Sequence, residues 1–181
     1  RMTATICEQA SRLMHVSNYY RIGESERLAD KLAAISGMEN AFFCNSGCEA
    51  NEAAIKIARL YGHQRGVESP AIIVMENAFH GRTLATLSAT GSRKVQAGFE
   101  PLVAGFVRVP FNNIESVRQV AAHNRNVVAV LVEPIQGEGG INIGAMEYLR
   151  ALREICSQQN WLLMLDEVQC GIGRTGPWFV Y

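Results

Sequence analysis

An apolar run that stops at a single acidic residue constrains the fold of this chain more than any other feature. Residues 161–165 are all apolar and do not alternate with polar residues, and Asp166 follows them directly, with glycines soon after. Such a run is typical of a parallel strand covered on both faces. In open α/β sheets, ligands bind at the carboxyl ends of these strands. The pattern predicts a buried central strand that delivers Asp166 either to a ligand or to a turn.

Similar runs upstream alternate with segments of helical periodicity. Residues 71–75 and 127–132 predict two more buried strands, and residues 40–44 and 105–110 predict short ones. A glycine-containing segment at residues 135–140 is predicted to be a mobile loop. Apolar residues recur at helical spacing at residues 4–14, 25–35, 50–61, 84–89, 114–122 and 146–158. Strands that alternate with helices predict an α/β fold with a mainly parallel sheet and flanking helices.

Composition favours small-molecule chemistry over binding to large charged partners. The 181 residues carry 17 basic and 17 acidic side chains, so the net charge gives no reason to expect nucleic acid or an anionic membrane surface as partner. No apolar run reaches transmembrane length. The five cysteines form no CxxC pair, which indicates reduced thiols in a cytoplasmic protein. Cys44 and Cys48 have no further ligands grouped with them, so no metal site is predicted.

The first of four ligand-bearing turns is Ser46-Gly47-Cys48. Ser46 is a favourable N-cap, and Glu49 three residues later completes a capping-box pattern. The first backbone N–H groups of a helix lack intrahelical acceptors and carry the positive end of its dipole, so a phosphate binds there readily. A capped helix without a ligand is the structural alternative.

The other three turns also follow apolar runs. The turn at residues 79–82 offers the ring of Phe79 to a planar group and the guanidinium of Arg82 to a carboxylate, although both could be ordinary core and surface residues. Residues 133–138 and 166–169 bring further carboxylates. A helix N-terminus, an aromatic face and a buried carboxylate meet the needs of pyridoxal phosphate (PLP), whose pyridine nitrogen must stay protonated to draw electrons from the substrate.

At these turns the sequence resembles the class III, ornithine-type aminotransferases of PLP fold type I. Four segments carry the resemblance: FCNSGCEANEAAIK at 43–56, FHGRTLATLSATG at 79–91, VEPIQGEGGI at 132–141 and LDEVQCGIGRTG at 165–176. The resemblance implies that residues 36–181 are part of a PLP-binding large domain, and that residues 1–35 form a helical segment leading into it. It also implies a homodimer.

The resemblance implies a role for each cofactor-binding residue. Gly47 and Cys48, next to Ser46, would bind the phosphate through backbone amides. Cys48 stands where alanine, serine or threonine is more usual, which matters little if only its backbone is used. The remaining contacts are implied for Phe79 and Val168 on the two ring faces, Gln169 at the phenolic oxygen, and Asp166, the catalytic partner of the pyridine nitrogen.

The implied reaction moves the δ-amino group of N-acetylornithine to 2-oxoglutarate, a step in arginine biosynthesis. Arg82 would take the α-carboxylate of the amino acid, Glu138 would face a substrate-side arginine, and Glu133 would support this network. Ornithine, succinylornithine and 4-aminobutyrate are alternative amino donors within the family.

Both chain ends look cut, so further residues are expected after Tyr181. The Schiff-base lysine of the family follows the DEVQ motif by a few tens of residues, and Lys31, Lys56 and Lys94 do not match it. Lys94 is predicted to lie in a loop. These 181 residues alone are therefore expected to be inactive. Two other interpretations stay open: a non-catalytic truncated module, and a dinucleotide-binding oxidoreductase suggested by the GxGxxG spacing at residues 171–176.

Overall fold

The computed structural model describes residues 1–17 and 19–181, which form two compact units, Arg1–Phe42 and Phe43–Tyr181. The first unit contains helices α1 (Met2–Arg12) and α2 (Gly23–Ser36), and both predicted helices are confirmed. Helix α2 ends at Gly37, which adopts the left-handed conformation with φ of 69°. No residue of either helix is fully buried. None of the helices in the described residues is long and apolar enough to span a membrane.

The second unit contains eleven elements within its described residues. The helices are α3 (Gly47–Gln64), α4 (Leu84–Ala89), α5 (Arg93–Gln96), α6 (Ile114–His123) and α7 (Met146–Gln159). The strands are β1 (Ala71–Met75), β2 (Phe106–Val109), β3 (Val127–Val132), β4 (Ile135–Gln136), β5 (Asn142–Ile143) and β6 (Leu162–Leu165). Three elements, β1, β3 and α4, have the bounds that the sequence predicts.

Four of these strands form one parallel sheet in the order β2-β1-β3-β6. This confirms the predicted α/β class. The predicted position of β6 at the centre is wrong, because in the described part of the chain β6 pairs only with β3 and lies at an edge of the sheet. Its four residues are accordingly half-buried, whereas every residue of β3 is buried.

Helices cover both faces of the sheet. On one face, Ile73 and Val130 pack with Val117 of α6 and Leu152 of α7. On the other face, β1 and β3 pack against α3 through Ile55 and Ala58. Strands β1 and β3 are therefore buried on both sides, which explains their continuous apolar sequences.

Three local predictions are wrong. Residues 40–44 form no strand, because in the described structure no strand pairs with this segment, and Phe42 stays 74% exposed. The predicted loop at residues 135–140 is a turn only from residue 137, because its first two residues form β4, which pairs antiparallel with β5 beyond the end of the predicted loop. Gln136 anchors the β4–β5 hairpin, since its side-chain amide donates to the Glu76 carbonyl at 2.8 Å. Lys94 lies in the short helix α5 rather than in a loop.

Candidate active site

A cavity of about 360 Å³ lies where the N-terminus of α3 meets the segments that follow β1, β3 and β6. The sequence predicted that these turns would lie together, because parallel strands bring their carboxyl ends to one edge of the sheet. The residues that line it are Gly47, Cys48, Asn51, Phe79, His80, Gly81, Arg82, Glu133, Asp166, Val168 and Gln169.

Helix α3 presents its first turn to this cavity. The side-chain oxygen of Ser46 accepts a hydrogen bond from the Glu49 backbone N–H at 3.2 Å, as predicted for an N-cap. The other half of the predicted capping box is wrong, because the Glu49 carboxylate accepts from the backbone N–H of Asn45 at 2.8 Å. Gly47 and Cys48 begin the helix, where backbone N–H groups lack intrahelical acceptors. This end of the cavity therefore suits an anion.

The loop after β6 packs closely on that helix end. A Cβ added at Gly47 would lie 2.6 Å from Cγ2 of Val168, so only glycine allows the observed approach. Val168 itself is held by its backbone N–H, which donates to Oδ1 of Asp166 at 3.1 Å. The Asp166 carboxylate thus organises the turn that follows its own strand.

Asp166 is buried and accepts two further hydrogen bonds. Its Oδ2 lies 2.8 Å from Nδ1 of His80 and 2.8 Å from Nδ2 of Asn51. Asn51 also donates to the His80 carbonyl at 2.9 Å, so one amide ties both groups together. Burial raises the pKa of Asp166, but the hydrogen bonds from His80, Asn51 and the Val168 N–H outweigh it and leave the pKa below its usual value. The carboxylate is therefore held ionised inside the protein.

Glu133, at the end of β3, links two of the loops around the cavity. Its Oε1 accepts the Phe79 backbone N–H at 2.8 Å, and its Oε2 accepts the Gly137 backbone N–H at 3.4 Å. Burial raises the pKa of this carboxyl, and the Phe79 hydrogen bond partly opposes the shift. Phe79 in turn lies beneath Arg82, whose Cζ is 5.8 Å from the ring centroid.

Two comparisons of sequence identify the family. Residues 1–181 match the family Aminotransferase class-III along their whole length. The chain belongs to the class III aminotransferases. It is 63% identical over 180 residues to acetylornithine aminotransferase from Nitrosomonas europaea and 50% identical over 182 residues to that from Methanocaldococcus jannaschii. These alignments cover 99% and 100% of this chain but 46% and 45% of the relatives, so the chain spans a little under half their length.

Parts of two solved aminotransferase structures have the same fold as this chain. Ornithine aminotransferase from Toxoplasma gondii superposes with a TM-score of 0.92 at 32% identity, covering 98% of this chain and 42% of that one. N-acetylornithine aminotransferase from Stenotrophomonas maltophilia superposes with a TM-score of 0.80 at 36% identity, covering 99% and 44%. The fold is therefore the large-domain portion of PLP fold type I.

The fold brings together most of the site residues that the sequence predicts. Eight of them line the cavity: Gly47, Cys48, Phe79, Arg82, Glu133, Asp166, Val168 and Gln169. Ser46 caps the helix at its edge but does not line it. Glu138 is exposed and does not line the cavity either.

Two polar residues of the site were missed from the sequence. These are His80 and Asn51, to which the sequence patterns assign no role. Asn51 carried a usable signal: it falls on the same helical face as Ile55 and Ala58, where a polar residue must find a buried partner. Nothing local to His80 shows that it would meet Asp166, which lies 86 residues later.

Three structural features of the cavity meet the chemical requirements of PLP. It combines a helix N-terminus for a phosphate, an aromatic ring and a buried ionised carboxylate for a protonated pyridine nitrogen. Among the buried side-chain nitrogens and oxygens in the described residues, His80 Nε2 alone has no hydrogen-bond partner. This orphaned atom belongs to a residue of the cavity wall, as expected for a site built to receive a further polar group.

The geometry does not support the dinucleotide-binding interpretation. A dinucleotide fingerprint requires its glycines to open a helix. Residues 169–179 form turns and bends instead, and Gly173 and Gly176 have positive φ values of 80° and 111°.

Proposed function

We propose that this chain is part of a PLP-dependent aminotransferase that moves the δ-amino group of N-acetylornithine to 2-oxoglutarate, a step in arginine biosynthesis. The buried, ionised Asp166 carboxylate in a cavity that also contains a helix N-terminus is the observation that carries the proposal. The names of the relatives from N. europaea and M. jannaschii support this choice of amino donor. One T. gondii ornithine aminotransferase structure has PLP at partial occupancy in its active site, which supports the cofactor.

The proposed cofactor contacts follow from the residues of the cavity wall. The backbone N–H groups of Gly47 and Cys48, with the Ser46 cap beside them, would hold the phosphate. Phe79 and Val168 would enclose the ring, and Gln169, Asp166 and His80 would line its edge. When bound, PLP supplies an electron sink for the bonds of the substrate carbon. Asp166 would keep a proton on the pyridine nitrogen, since an ionised carboxylate favours a positive charge beside it.

The proposed substrate contacts involve three charged residues. Arg82 is exposed at the cavity wall and would pair with the α-carboxylate of the amino donor. Glu133 would fix the loops that carry Phe79 and Gly137, because it accepts a backbone N–H from each. Glu138, exposed beyond β4, would face an arginine outside this chain. The Schiff-base lysine would likewise lie outside this chain, in a part of the full-length protein that corresponds to the uncovered length of the relatives.

Subunit assembly, domain organisation and localisation are also proposed. We infer a cytoplasmic homodimer in which residues 1–35 are a helical lead-in and residues 36–181 are part of the large domain. Exposed apolar side chains in the first unit, such as Tyr19 at 96% and Met14 at 81%, support self-association. Sedimentation of the full-length protein tests the dimer, and a monomer at all accessible concentrations would refute it.

The function is tested by titrating the full-length protein with PLP and then assaying amino donors with 2-oxoglutarate as acceptor. We expect N-acetylornithine to give a higher kcat/KM than ornithine, succinylornithine or 4-aminobutyrate. A preference for one of the other three would reassign the donor. PLP binding without turnover of any donor would favour a non-catalytic module, and absence of PLP binding would overturn the proposal.

The sequence contains a matched control for the central carboxylate. Asp30 on α2 is the only other aspartate, and its side chain is exposed. Asp166→Asn keeps the shape but removes the charge, so we expect kcat/KM to fall by about 100-fold or more, the scale seen when a preorganised electrostatic group is lost. Asp30→Asn is expected to leave kcat/KM unchanged. Equal effects of the two substitutions would argue against the assigned role of Asp166.

A further inference from the structure

The thiol of Cys48 connects the first turn of α3 to the loop that carries Arg82. Its Sγ lies 3.5 Å from Oγ1 of Thr83, to which it donates, and 3.3 Å from Oγ1 of Thr86. The Thr83 hydroxyl in turn donates a hydrogen bond to the carboxylate of Glu52, one turn further along α3. The loop is therefore attached to α3 at two points by a continuous chain of hydrogen bonds.

Packing at Gly81 makes the same connection without hydrogen bonds. A Cβ added at Gly81 would lie 2.6 Å from Sγ of Cys48 and 2.6 Å from Oγ1 of Thr86. Gly81 also has a φ of 131°, a conformation that residues with a Cβ rarely adopt. The backbone immediately before Arg82 thus rests directly on the thiol, and the side chain of Cys48 sets how closely the loop approaches α3.

We propose that Cys48 is a positioning residue whose side chain fixes the loop bearing Arg82 relative to the N-terminus of α3. This inference rests on the proposed function, in which that helix end holds the cofactor phosphate and Arg82 holds the substrate carboxylate. The thiol then sets the distance between the two anionic groups that the site must hold at once. The family resemblance implies a role only for the backbone of Cys48, so this role of its side chain comes from the tertiary contacts.

Cys7 provides a contrast to Cys48, because its side chain is exposed on α1. Cys7→Ala is therefore the matched control.

The first test is hydrogen exchange in the full-length protein without PLP. Cys48→Ala removes the thiol contacts, so we expect the amides of the segment 81–86 to exchange about 3- to 10-fold faster, the scale of one hydrogen bond. Cys48→Ser retains a donor and acceptor at this position and is expected to restore most of the protection. Cys7→Ala should leave the segment unchanged. Equal exchange in Cys48→Ala and the parent protein would overturn the proposal.

The second test uses the PLP-loaded full-length protein. A displaced Arg82 weakens carboxylate binding more than chemistry, so Cys48→Ala is expected to raise the KM for the amino donor about 3- to 10-fold with a smaller change in kcat. Cys48→Ser should recover the parental KM. A fall in kcat alone, or a serine variant no better than the alanine variant, would contradict the positioning role. Because hydrogen exchange needs neither PLP nor turnover, its result stands even if the proposed function fails.

Discussion

Asn51 provides the sharpest test of how the site is held together. Replacing it with alanine removes one amide that donates at 2.8 Å to Oδ2 of Asp166 and at 2.9 Å to the carbonyl of His80. A hydrogen bond to a charged group contributes about 1.5–3 kcal/mol and one between neutral groups about 0.5–1.5 kcal/mol. Asn51 is only 6% exposed, so water does not readily replace the lost donor. We expect Asn51→Ala to lower the free energy of unfolding by about 2–4 kcal/mol.

Asn45 is the matched control for this substitution. Its side-chain amide also donates to a carboxylate, Oε2 of Glu49, at 3.0 Å, but the pair is exposed. Asn45→Ala should therefore cost less than about 1 kcal/mol, because water can replace the exposed partner. The measurement is urea unfolding of the full-length protein without PLP, followed by tryptophan fluorescence, to which Trp161 and Trp178 of this chain contribute.

The pH dependence of the stability lost in Asn51→Ala tests independently whether the loss comes from the hydrogen bond to Asp166. The folded-state pKa of Asp166 lies below its unfolded value of about 3.9, so its ionised form stabilises the fold at neutral pH. That contribution disappears as the pH falls through the folded-state pKa. Removing Asn51 moves this pKa upward. The difference in free energy of unfolding between the parent protein and Asn51→Ala should therefore be largest near neutral pH and become smaller at acid pH. A loss equal to that of Asn45→Ala, or one that grows as the pH falls, would refute the reasoning.

Three further predictions concern packing and capping. Ile73→Ala in β1, at 0% exposure, should lower the free energy of unfolding by about 2–5 kcal/mol, whereas Ile57→Ala, at 58% exposure, should cost under about 1 kcal/mol in the same urea experiment. Gly47→Ala should weaken PLP binding at least about 10-fold in an absorbance titration, because its Cβ meets the Val168 side chain, and Val168→Ala in the same protein should restore part of the affinity. Ser46→Ala should lower thermal stability by the equivalent of about 1 kcal/mol, while Ser46→Gly should cost only a few tenths.

The bounds of β1, β3 and α4 could be read from the sequence because each is specified locally. Strands buried on both faces need unbroken apolar residues, and β1 and β3 have them. The same logic placed Glu133 and Asp166 at the carboxyl ends of strands. In contrast, residues 40–44 are apolar enough for a strand but form none, because a strand also needs a partner for its backbone groups.

Tertiary structure alone decided which side chains meet inside the site. Asn51 and Asp166 are 115 residues apart, and no local pattern encodes a 2.8 Å contact over that separation. The edge position of β6 likewise depends on sheet order, which local hydrophobicity does not specify. The contact of the Cys48 thiol with Thr86 arises because α3 and the loop after β1 approach closely at Gly81. Sequence periodicity determined the elements and the ends at which chemistry could occur, whereas the distances within the site depend on how those elements pack.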